Sequence, residues 1–351
     1  MPVRWLVLGP GAMAFYAILG QLSQVDTHEV QAVSGASAGA ILSLLWVVFD
    51  RSIPDVLDFA LNVQVDKLMK PNIKNFLTNF GLVPMHEVRK ALSKAIFKKF
   101  KLRDVTFGEL WNRRPVTLYV SAYCTERSQT EYFSHETHPD TSVLDAVCAS
   151  LAVPLLFSTV KIGEWRYIDG GFQEDAPGLP FVTKPRHEIL MICITPPPPA
   201  KGPSTSLASY IGNVFAGVLR LRHKYDYPKF CIDAENMDIF DFGADGLELF
   251  VYGQKSRQIL NDAHYPIGLH GPQDLEENHR QGDSGSQVLH LYAEGGLYPR
   301  ETGADLRRGG DRQGAEGDRP TEEGHADLVR VPPGRGQDEP LQVAEQGDQQ
   351  G

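Results

Sequence analysis

The sequence predicts an α/β fold in which helices cover both faces of a mostly parallel sheet. Two short, largely apolar segments, residues 3–8 and 30–33, each lead into a glycine-containing turn and then into an apolar helix. Strands of parallel sheets are apolar along most of their length because helices bury both of their faces. The alternation of strands and helices continues down the chain, which is typical of such sheets.

The predicted elements follow one another in order after these two units, whose helices end near Leu22 and Phe49. Further helices are predicted over residues 53–70, 72–80, 85–100, 142–152, 206–222 and 245–260, and further strands over residues 116–124 and 188–194. Residues 116–124 alternate in polarity and are rich in β-branched and aromatic side chains, which favours a strand. Ser142 and Asp145 have the spacing of a helix N-cap and its acidic partner.

The composition describes a chain with a large core and a negative charge. Of its 351 residues, 42% are hydrophobic, and the formal net charge is −10. This charge argues against a nucleic-acid-binding protein, which normally carries a basic face. The four cysteines are widely separated and form no Cys-x-x-Cys motif, so we expect reduced thiols in a cytoplasmic protein.

Two uncharged segments have the length of export or membrane signals. Residues 5–25 resemble a signal peptide, and residues 30–49 are about as long as a membrane span. Glycine, serine or glutamine interrupts both of them in strand–turn–helix order. We therefore interpret them as buried elements of the core.

The character of the chain changes near residue 266. Residues 266–351 are dominated by Gly, Gln, Glu, Asp and Arg and show no sustained periodicity. Such a segment cannot bury enough apolar area to offset its ordering entropy. We predict one folded domain, residues 1–265, followed by a disordered polar tail, which is either the product of a shifted reading frame or an evolved interaction segment.

A Gly-x-Ser-x-Gly turn connects the second predicted strand to the second helix. Its residues are Gly35, Ala36, Ser37, Ala38 and Gly39. In this setting a serine is held in a strained backbone conformation, with its hydroxyl lifted clear of the sheet. A Cβ atom at either glycine would crowd the strand and the helix. Ser37 is therefore the candidate nucleophile.

A serine nucleophile needs a base, and the candidate is Asp169 in the sequence Asp169-Gly170-Gly171. Asp169 ends a short predicted strand, and the two glycines allow a sharp turn beside another segment. A carboxylate within hydrogen-bond reach of the hydroxyl can remove its proton directly. The alternative base is His187, which would give the Ser–Asp–His order of α/β-hydrolases but lies in a charged, predicted exposed loop.

The loop after the first strand, Gly9-Pro10-Gly11-Ala12, is the candidate oxyanion hole. Glycines at this point let successive N–H groups face a common space at a helix N-terminus. Pro10 has no N–H group. The expected donors are therefore Gly11 and Ala12, together with Ala38 at the start of the second helix.

The same loop also fits another class of enzyme. The pattern Gly9-x-Gly11-x-x-Ala14 satisfies the dinucleotide-binding fingerprint, so a nicotinamide-dependent reductase is an alternative. That fingerprint requires an acidic residue at the end of the next strand. The serine turn occupies that place, and the ribose partner is missing.

Together these motifs resemble the patatin-like phospholipase family. The family has, in this order, a glycine-rich loop, Gly-x-Ser-x-Gly, an Ala-x-x-Ala-Ser-x-x-x-Pro-x-x-Phe segment that residues 146–157 match, and Asp-Gly-Gly/Ala. The resemblance covers about residues 3–260 and implies a patatin-like three-layer α/β/α catalytic domain. It also implies a Ser37–Asp169 dyad that cleaves lipid acyl esters through an acyl-enzyme, as phospholipases A and lysophospholipases do, without cofactor or metal.

The glycine loop departs from the family pattern at three positions. Pro10, Met13 and Ala14 stand where the family usually has a second glycine, an arginine or lysine, and a last glycine. The proline form resembles patatin-like proteins of large DNA viruses. A catalytically silent, lipid-binding relative is the second alternative.

The segment from Met85 to Arg103 is the candidate membrane contact. Apolar residues recur on one face of this predicted helix, and lysines and arginines crowd the rest. Such a helix can seat a protein on an anionic lipid surface. Alternatively, it is a solvated amphipathic helix that covers the core. We expect a lipid substrate, peripheral membrane contact and no nucleic-acid partner.

Overall fold

A sheet of eight strands lies at the centre of the computed structural model, which describes residues 2–195, 225–233 and 237–256 and the single positions 203, 210, 214 and 217. The strands of the described residues are β1 (Trp5–Leu8), β2 (Ala32–Gly35), β3 (Gly81–Val83), β4 (Thr117–Cys124), β5 (Gln129–Phe133), β6 (Leu155–Phe157), β7 (Val160–Ile162), β8 (Trp165–Ile168), β9 (Ile189–Ile194) and β10 (Lys229–Ile232). Their helices are α1 (Phe15–Leu22), α2 (Ala38–Val48), α3 (Ile53–Leu61), α4 (Val65–Leu68), α5 (Ile73–Asn79), α6 (Met85–Phe100), α7 (Phe107–Arg113), α8 (Val143–Ser150) and α9 (Gly246–Lys255). The predicted tail with its boundary at residue 266, and most of the helix predicted over residues 206–222, lie outside the described residues.

Five neighbouring strands make the centre of the sheet parallel. Their order is β10-β9-β1-β2-β4, and each adjacent pair is parallel. Beyond β4 the sheet continues with β8 and β7, and β4 also pairs with β5; these pairings are antiparallel. A separate two-stranded sheet joins β3 and β6. The predicted α/β class with a mostly parallel sheet is confirmed.

Alternate side chains of the central strands pack on opposite faces of the sheet. In β1, Leu6 and Leu8 belong to the main core, which also contains α1 and α2, whereas Val7 packs in a second cluster with Phe181 and Ile189. Both faces of the strand are therefore removed from water. This explains why its sequence is apolar rather than alternating.

The register brings the two predicted motif loops to the same edge of the sheet. Leu8 at the end of β1 pairs with Gly35 at the end of β2, and Gly35 pairs with Val120 of β4. Parallel strands that end in register release their loops side by side. The loop after β1 and the turn after β2 are thus neighbours.

The longer predicted helices lie where the sequence places them. α6 begins and ends as predicted, and α8 follows Ser142, whose hydroxyl accepts a hydrogen bond from the Asp145 N–H at 3.1 Å. The helix predicted over residues 53–70 is divided into α3 and α4; at the end of α3 the Asn62 side chain donates to the Asp58 carbonyl. The strands β3, β5, β6, β7 and β10 were not predicted.

The two uncharged segments form buried strand–helix units, as predicted. They correspond to β1 with α1 and β2 with α2. Among the described helices, none is long and apolar enough to cross a membrane. All four cysteines are present as thiols, and Cys124, Cys148 and Cys193 are buried. The cytoplasmic location stays a prediction.

Helices α1 and α9 approach each other through glycines. A Cβ atom on Gly20 of α1 would overlap the carbonyl oxygen of Phe250, and one on Gly253 of α9 would overlap the carbonyl oxygen of Ala17. The two helix backbones are therefore in direct contact. This contact attaches the last described helix to the first one.

Substitution of Gly253 by alanine tests this contact. Helix propensity alone would make Gly253→Ala stabilising by up to about 1 kcal/mol. We expect the opposite sign, a loss of about 2 kcal/mol in the free energy of unfolding, because the added methyl group must displace a backbone. Urea unfolding followed by circular dichroism measures it. Gly243→Ala, whose methyl would meet only a side-chain oxygen at 3.4 Å, is the control and should change stability by less than about 0.5 kcal/mol.

Candidate active site

Ser37 occupies a strained turn between β2 and α2. Its backbone angles are φ 52° and ψ −120°, and its side chain is buried. A residue with a side chain adopts a positive φ only where the surrounding structure holds it there, at a cost on the order of 1–3 kcal/mol. The Ser37 N–H donates a hydrogen bond of 2.9 Å to the hydroxyl of Ser150, the last residue of α8. This bond holds the turn from behind.

The glycines on either side of Ser37 allow α2 to approach the strand ends. A Cβ atom on Gly39 would overlap the carbonyl oxygen of Leu8, and one on Gly35 would overlap the carbonyl oxygen of Gly39. A larger residue at either position would move α2 away from the sheet. The N-terminus of α2 would then no longer lie beside the loop that follows β1.

Asp169 follows β8 and is buried at the start of a tight turn. Its Oδ1 accepts a hydrogen bond of 2.7 Å from the N–H of Gly171, which fixes the orientation of the carboxylate. Its own N–H donates to the carbonyl of Ala152 at 3.0 Å. Gly170 lies directly against the carbonyl oxygen of Ser121 in β4, where no side chain would fit.

The end of α8 contacts both candidate catalytic segments. Ser150 accepts the hydrogen bond from Ser37, and Ala152, two residues later, accepts the one from Asp169. The turn after Asp169 also reaches the glycine loop, because a Cβ atom on Gly171 would stand 2.9 Å from the ring of Pro10. Four segments that are far apart in the sequence thus meet at one place.

Ser150 was not among the predicted site residues. Its signal was available, because it is the serine in the segment 146–157 that resembles the family pattern. The match to the pattern locates Ser150 in the sequence but does not indicate its structural role. Only the structure shows that the hydroxyl supports the backbone of Ser37.

The predicted oxyanion donors differ in whether their N–H groups are already engaged. The N–H of Gly9, the first residue of the predicted oxyanion loop, donates to the carbonyl of Ile192 at 2.9 Å and so holds the loop to β9. Within the described part of the chain, the N–H groups of Gly11, Ala12 and Ala38 have no hydrogen-bond partner. Ala12 also has a positive φ of 46°, a second strained position at this edge of the sheet.

An apolar cavity of about 150 Å³ begins at Ser37. Its walls include Ala12 and Ala38, so two of the unengaged N–H groups belong to residues that border the same space as the serine. Apart from Ser37 and Tyr16, its described walls are apolar and come from α1, α2, α3, α4, α6, the segment after α8 and residues 240–242. Burial, with a smaller effect of Asp245, raises the pKa of Tyr16 to about 12, and its hydroxyl donates to the Ala60 carbonyl at 3.0 Å. The cavity therefore suits a hydrocarbon chain.

His187 does not lie at the edge of the sheet that carries Ser37. It is exposed in a short helical turn just before β9. Ile189, the first residue of β9, pairs with Trp5, the first residue of β1. Since Ser37 follows the last residues of the parallel strands, His187 is at the opposite edge of the sheet from the candidate nucleophile.

The segment predicted to contact a membrane is partly used inside the protein. α6 buries Met85, Leu92, Ala95 and Ile96 in the core. Lys98 and Lys99 form ion pairs with Asp58 and Asp55 of α3 at 3.4 Å and 2.8 Å. The membrane contact of this segment stays a prediction.

In the described ranges, no three His, Cys, Asp or Glu side chains lie close enough together to hold a metal ion.

The comparison with protein families identifies the fold. Residues 6–182, half of the chain, match the family model described as patatin-like phospholipase. The chain belongs to this family. The resemblance predicted from the four motifs is confirmed, as is the patatin fold that it implied.

Two curated relatives are described as lipid hydrolases. The chain is 28% identical over 181 residues to "Probable lipid hydrolase 463L" of Invertebrate iridescent virus 6, a match that covers 50% of this chain and 61% of that one. It is 28% identical over 185 residues to "Triacylglycerol lipase 4" of Saccharomyces cerevisiae, covering 46% of this chain and 20% of that one. The chain thus spans less than two thirds of either relative. The viral relative agrees with the predicted resemblance to proteins of large DNA viruses.

Among solved structures, VipD from Legionella pneumophila is similar to this chain. The identity is 15%, the match covers 73% of this chain and 66% of that one, and the TM-score is 0.48.

Removal of the Ser150 hydroxyl tests its support of the serine turn. Ser150→Ala leaves the Ser37 N–H without its acceptor, so we expect the free energy of unfolding to fall by about 1–3 kcal/mol. The rate of hydrolysis of a test ester should also fall about tenfold or more, because Ser37 shifts from its position.

The matched control is Ser134→Ala. The Ser134 hydroxyl is buried and accepts hydrogen bonds from the Glu136 and Thr137 N–H groups, away from Ser37. This variant should lose similar stability and keep its esterase rate. Full activity of Ser150→Ala would show that the turn keeps its position without the Ser150 hydroxyl.

Proposed function

We propose that the protein hydrolyses acyl esters of lipids with Ser37 as the nucleophile and Asp169 as the general base. The observation that carries this proposal is the position of Ser37. It lies on a strained turn in the wall of an apolar cavity, beside N–H groups that have no partner among the described residues. An ester that places its acyl chain in the cavity would bring its carbonyl to the serine.

The reaction follows from the chemistry of these groups. Ser37 Oγ attacks the acyl carbon and its proton passes to the Asp169 carboxylate, while the carbonyl oxygen becomes an oxyanion. The N–H groups of Gly11, Ala12 and Ala38, and the N-terminus of α2, stabilise that charge. Collapse expels the alcohol, which takes the proton, and leaves an acyl-enzyme. Asp169 then accepts a proton from water as the water oxygen attacks the acyl carbon. The bond between the acyl carbon and Ser37 Oγ breaks, Asp169 returns the proton to Ser37 Oγ, and the fatty acid leaves.

The shared support of Ser37 and Asp169 favours their action as a dyad. Both segments are hydrogen-bonded to the end of α8, through Ser150 and Ala152. The Gly171 N–H also fixes one oxygen of the carboxylate. A base held in one orientation loses less entropy when it takes a proton than a base on a flexible side chain. His187 lies at the opposite edge of the sheet from Ser37, so it is not in position to act as the general base.

The substrate class follows from the cavity and from the relatives. Apolar walls fit an acyl chain, and the curated relatives carry names of lipid hydrolases. We infer a phospholipase A or lysophospholipase type of reaction in the cytoplasm, at the surface of a membrane. Family membership favours this hydrolase over a nicotinamide-dependent reductase. The turn after β2 carries Ser37 where such a reductase needs an acidic residue.

A fluorophosphonate probe tests whether Ser37 is the nucleophile. The wild-type protein should be labelled covalently, and Ser37→Ala should not be labelled, because the probe reacts with the activated hydroxyl. In-gel fluorescence measures the labelling. A folded wild-type protein that remains unlabelled would favour the catalytically silent, lipid-binding alternative.

The role of Asp169 is tested by a change that keeps its shape. Asp169→Asn should lower kcat for a soluble ester by about a hundredfold or more, because the amide cannot accept the serine proton. His187→Ala is the control and should retain the wild-type kcat. Loss of activity in the histidine variant, with an active Asp169→Asn, would contradict the dyad.

A larger side chain in the cavity tests where the acyl chain binds. Ala91 of α6 lines the cavity, so Ala91→Phe should reduce kcat/KM for long-chain esters by about tenfold or more and leave acetate esters unchanged. Lys90→Phe places the same ring on the exposed neighbouring position and should have no effect. An equal loss for short and long esters would show that the substitution acts on the fold rather than on the chain-binding space.

A further inference from the structure

Helix α5 exposes two of its three large apolar side chains. Ile73 and Leu77 are 74% and 73% exposed, and Phe80 at the end of the helix is 53% exposed. The register of β3 with β6 places Leu155, which is 45% exposed, beside Gly81 and hence next to Phe80. We call Ile73, Leu77, Phe80 and Leu155 the α5 patch.

The inward side of α5 carries Asn75 and Phe76, which are both half-buried. Asn75 donates hydrogen bonds to the Gly81 carbonyl at 2.6 Å and to the Ser158 hydroxyl at 2.8 Å. None of the residues of α5 is classed with the buried core. An amphipathic helix normally packs its apolar face on the protein, whereas α5 leaves Ile73 and Leu77 exposed and partly buries only Phe76. Exposed apolar residues grouped in this way mark an interaction surface.

The surroundings of the α5 patch are basic. Residues 67–86 and 146–163 contain Lys67, Lys70, Lys74 and Lys161 and no carboxylate, although the chain has a net charge of −10. Lys70, Lys74 and Lys161 are exposed and form no ion pair with a described residue. The Arg166 guanidinium lies over the Phe80 ring, 5.3 Å from its centre. Apolar side chains within a basic rim are complementary to an anionic lipid surface.

The α5 patch borders the cavity of the candidate active site. Leu68 and Met69, just before α5, line that cavity, and so do Leu156 and Phe157, just after Leu155. Both segments that carry the patch therefore continue directly into the cavity wall. A lipid held at this surface would have its acyl chain next to the space that begins at Ser37.

We propose that the α5 patch docks on the surface of an anionic phospholipid bilayer and delivers substrate to the cavity. This inference rests on the proposed function for the delivery step, whereas the docking itself does not need catalysis. It places the membrane contact on α5 rather than on α6. Lys98 and Lys99 of α6 are paired with Asp58 and Asp55, while Lys70, Lys74 and Lys161 beside α5 have no such partners among the described residues.

Vesicle binding by an inactive protein tests the docking separately from catalysis. In the Ser37→Ala background, vesicles of phosphatidylcholine and phosphatidylserine in equal amounts should bind the protein in a flotation assay. Adding Ile73→Ser and Leu77→Ser should weaken that binding about tenfold or more, because two apolar side chains no longer enter the interface. Leu179→Ser with Val182→Ser, which changes exposed apolar residues elsewhere, is the matched control and should bind normally.

The basic rim has its own variant. Lys70→Gln with Lys74→Gln should weaken binding to the same vesicles about fivefold per lysine at low salt and leave binding to pure phosphatidylcholine unchanged. Binding that ignores both sets of substitutions, or no binding at all, would overturn the proposal.

Two further measurements test whether a second copy of the chain, or another part of the same chain, covers the α5 patch. If the wild-type protein is a dimer in sedimentation and the Ile73→Ser, Leu77→Ser variant is a monomer, the patch is a contact between copies and the proposal is wrong. An environment-sensitive dye on Leu77→Cys should shift to the blue when vesicles are added. A dye that is blue without vesicles and unchanged by them would show that this chain itself covers the patch.

Activity measured in parallel distinguishes a failure of the docking from a failure of the proposed function. With Ser37 present, the Ile73→Ser, Leu77→Ser variant should react normally with a fluorophosphonate and with a soluble ester, and lose about tenfold or more of its rate on vesicle lipid. Equal rates on vesicle lipid would overturn the docking. A wild-type protein that binds vesicles through the patch but never reacts would overturn the hydrolase proposal alone.

Discussion

The strained backbone at Ser37 is the constraint on which the rest of the site depends. A serine at φ 52° is unfavourable by itself, and it persists because its neighbours leave it no other position. Gly35 and Gly39 let α2 press against the ends of β1 and β2, and Ser150 accepts the hydrogen bond from the Ser37 N–H. The packing of the central sheet thus supplies the free energy that holds the turn.

Helix α8 connects the two halves of the site. It lies between the nucleophile and the acid in the sequence, and its C-terminal end is hydrogen-bonded to both. Displacement of this one helix would therefore move Ser37 and Asp169 together. The Pro10 ring, which lies against the Gly171 turn, links the glycine loop to the same cluster. This arrangement explains why four short motifs, separated by many residues, occur in one chain.

The helices between β2 and β4 serve two different purposes. α3 and α6 close the apolar cavity, and their ion pairs hold them to each other. α5 fully buries no side chain of its own and leaves Ile73 and Leu77 exposed. The basic charge that the sequence concentrates in this region is divided accordingly, partly into internal ion pairs and partly into an exposed rim.

The sequence by itself determined the class of fold, the serine turn, and elements with strong local signals such as α6 and the capped α8. These follow from apolar periodicity, capping residues and glycine spacing, which act over a few neighbouring residues. Only the tertiary structure decided that the Gly9 N–H is engaged by Ile192, that Ser150 supports Ser37 and that α5 faces outwards. It also decided the antiparallel edge of the sheet and the walls of the cavity. Each of these depends on contacts between residues that are distant in the chain, and no local pattern specifies which distant segment a group will meet.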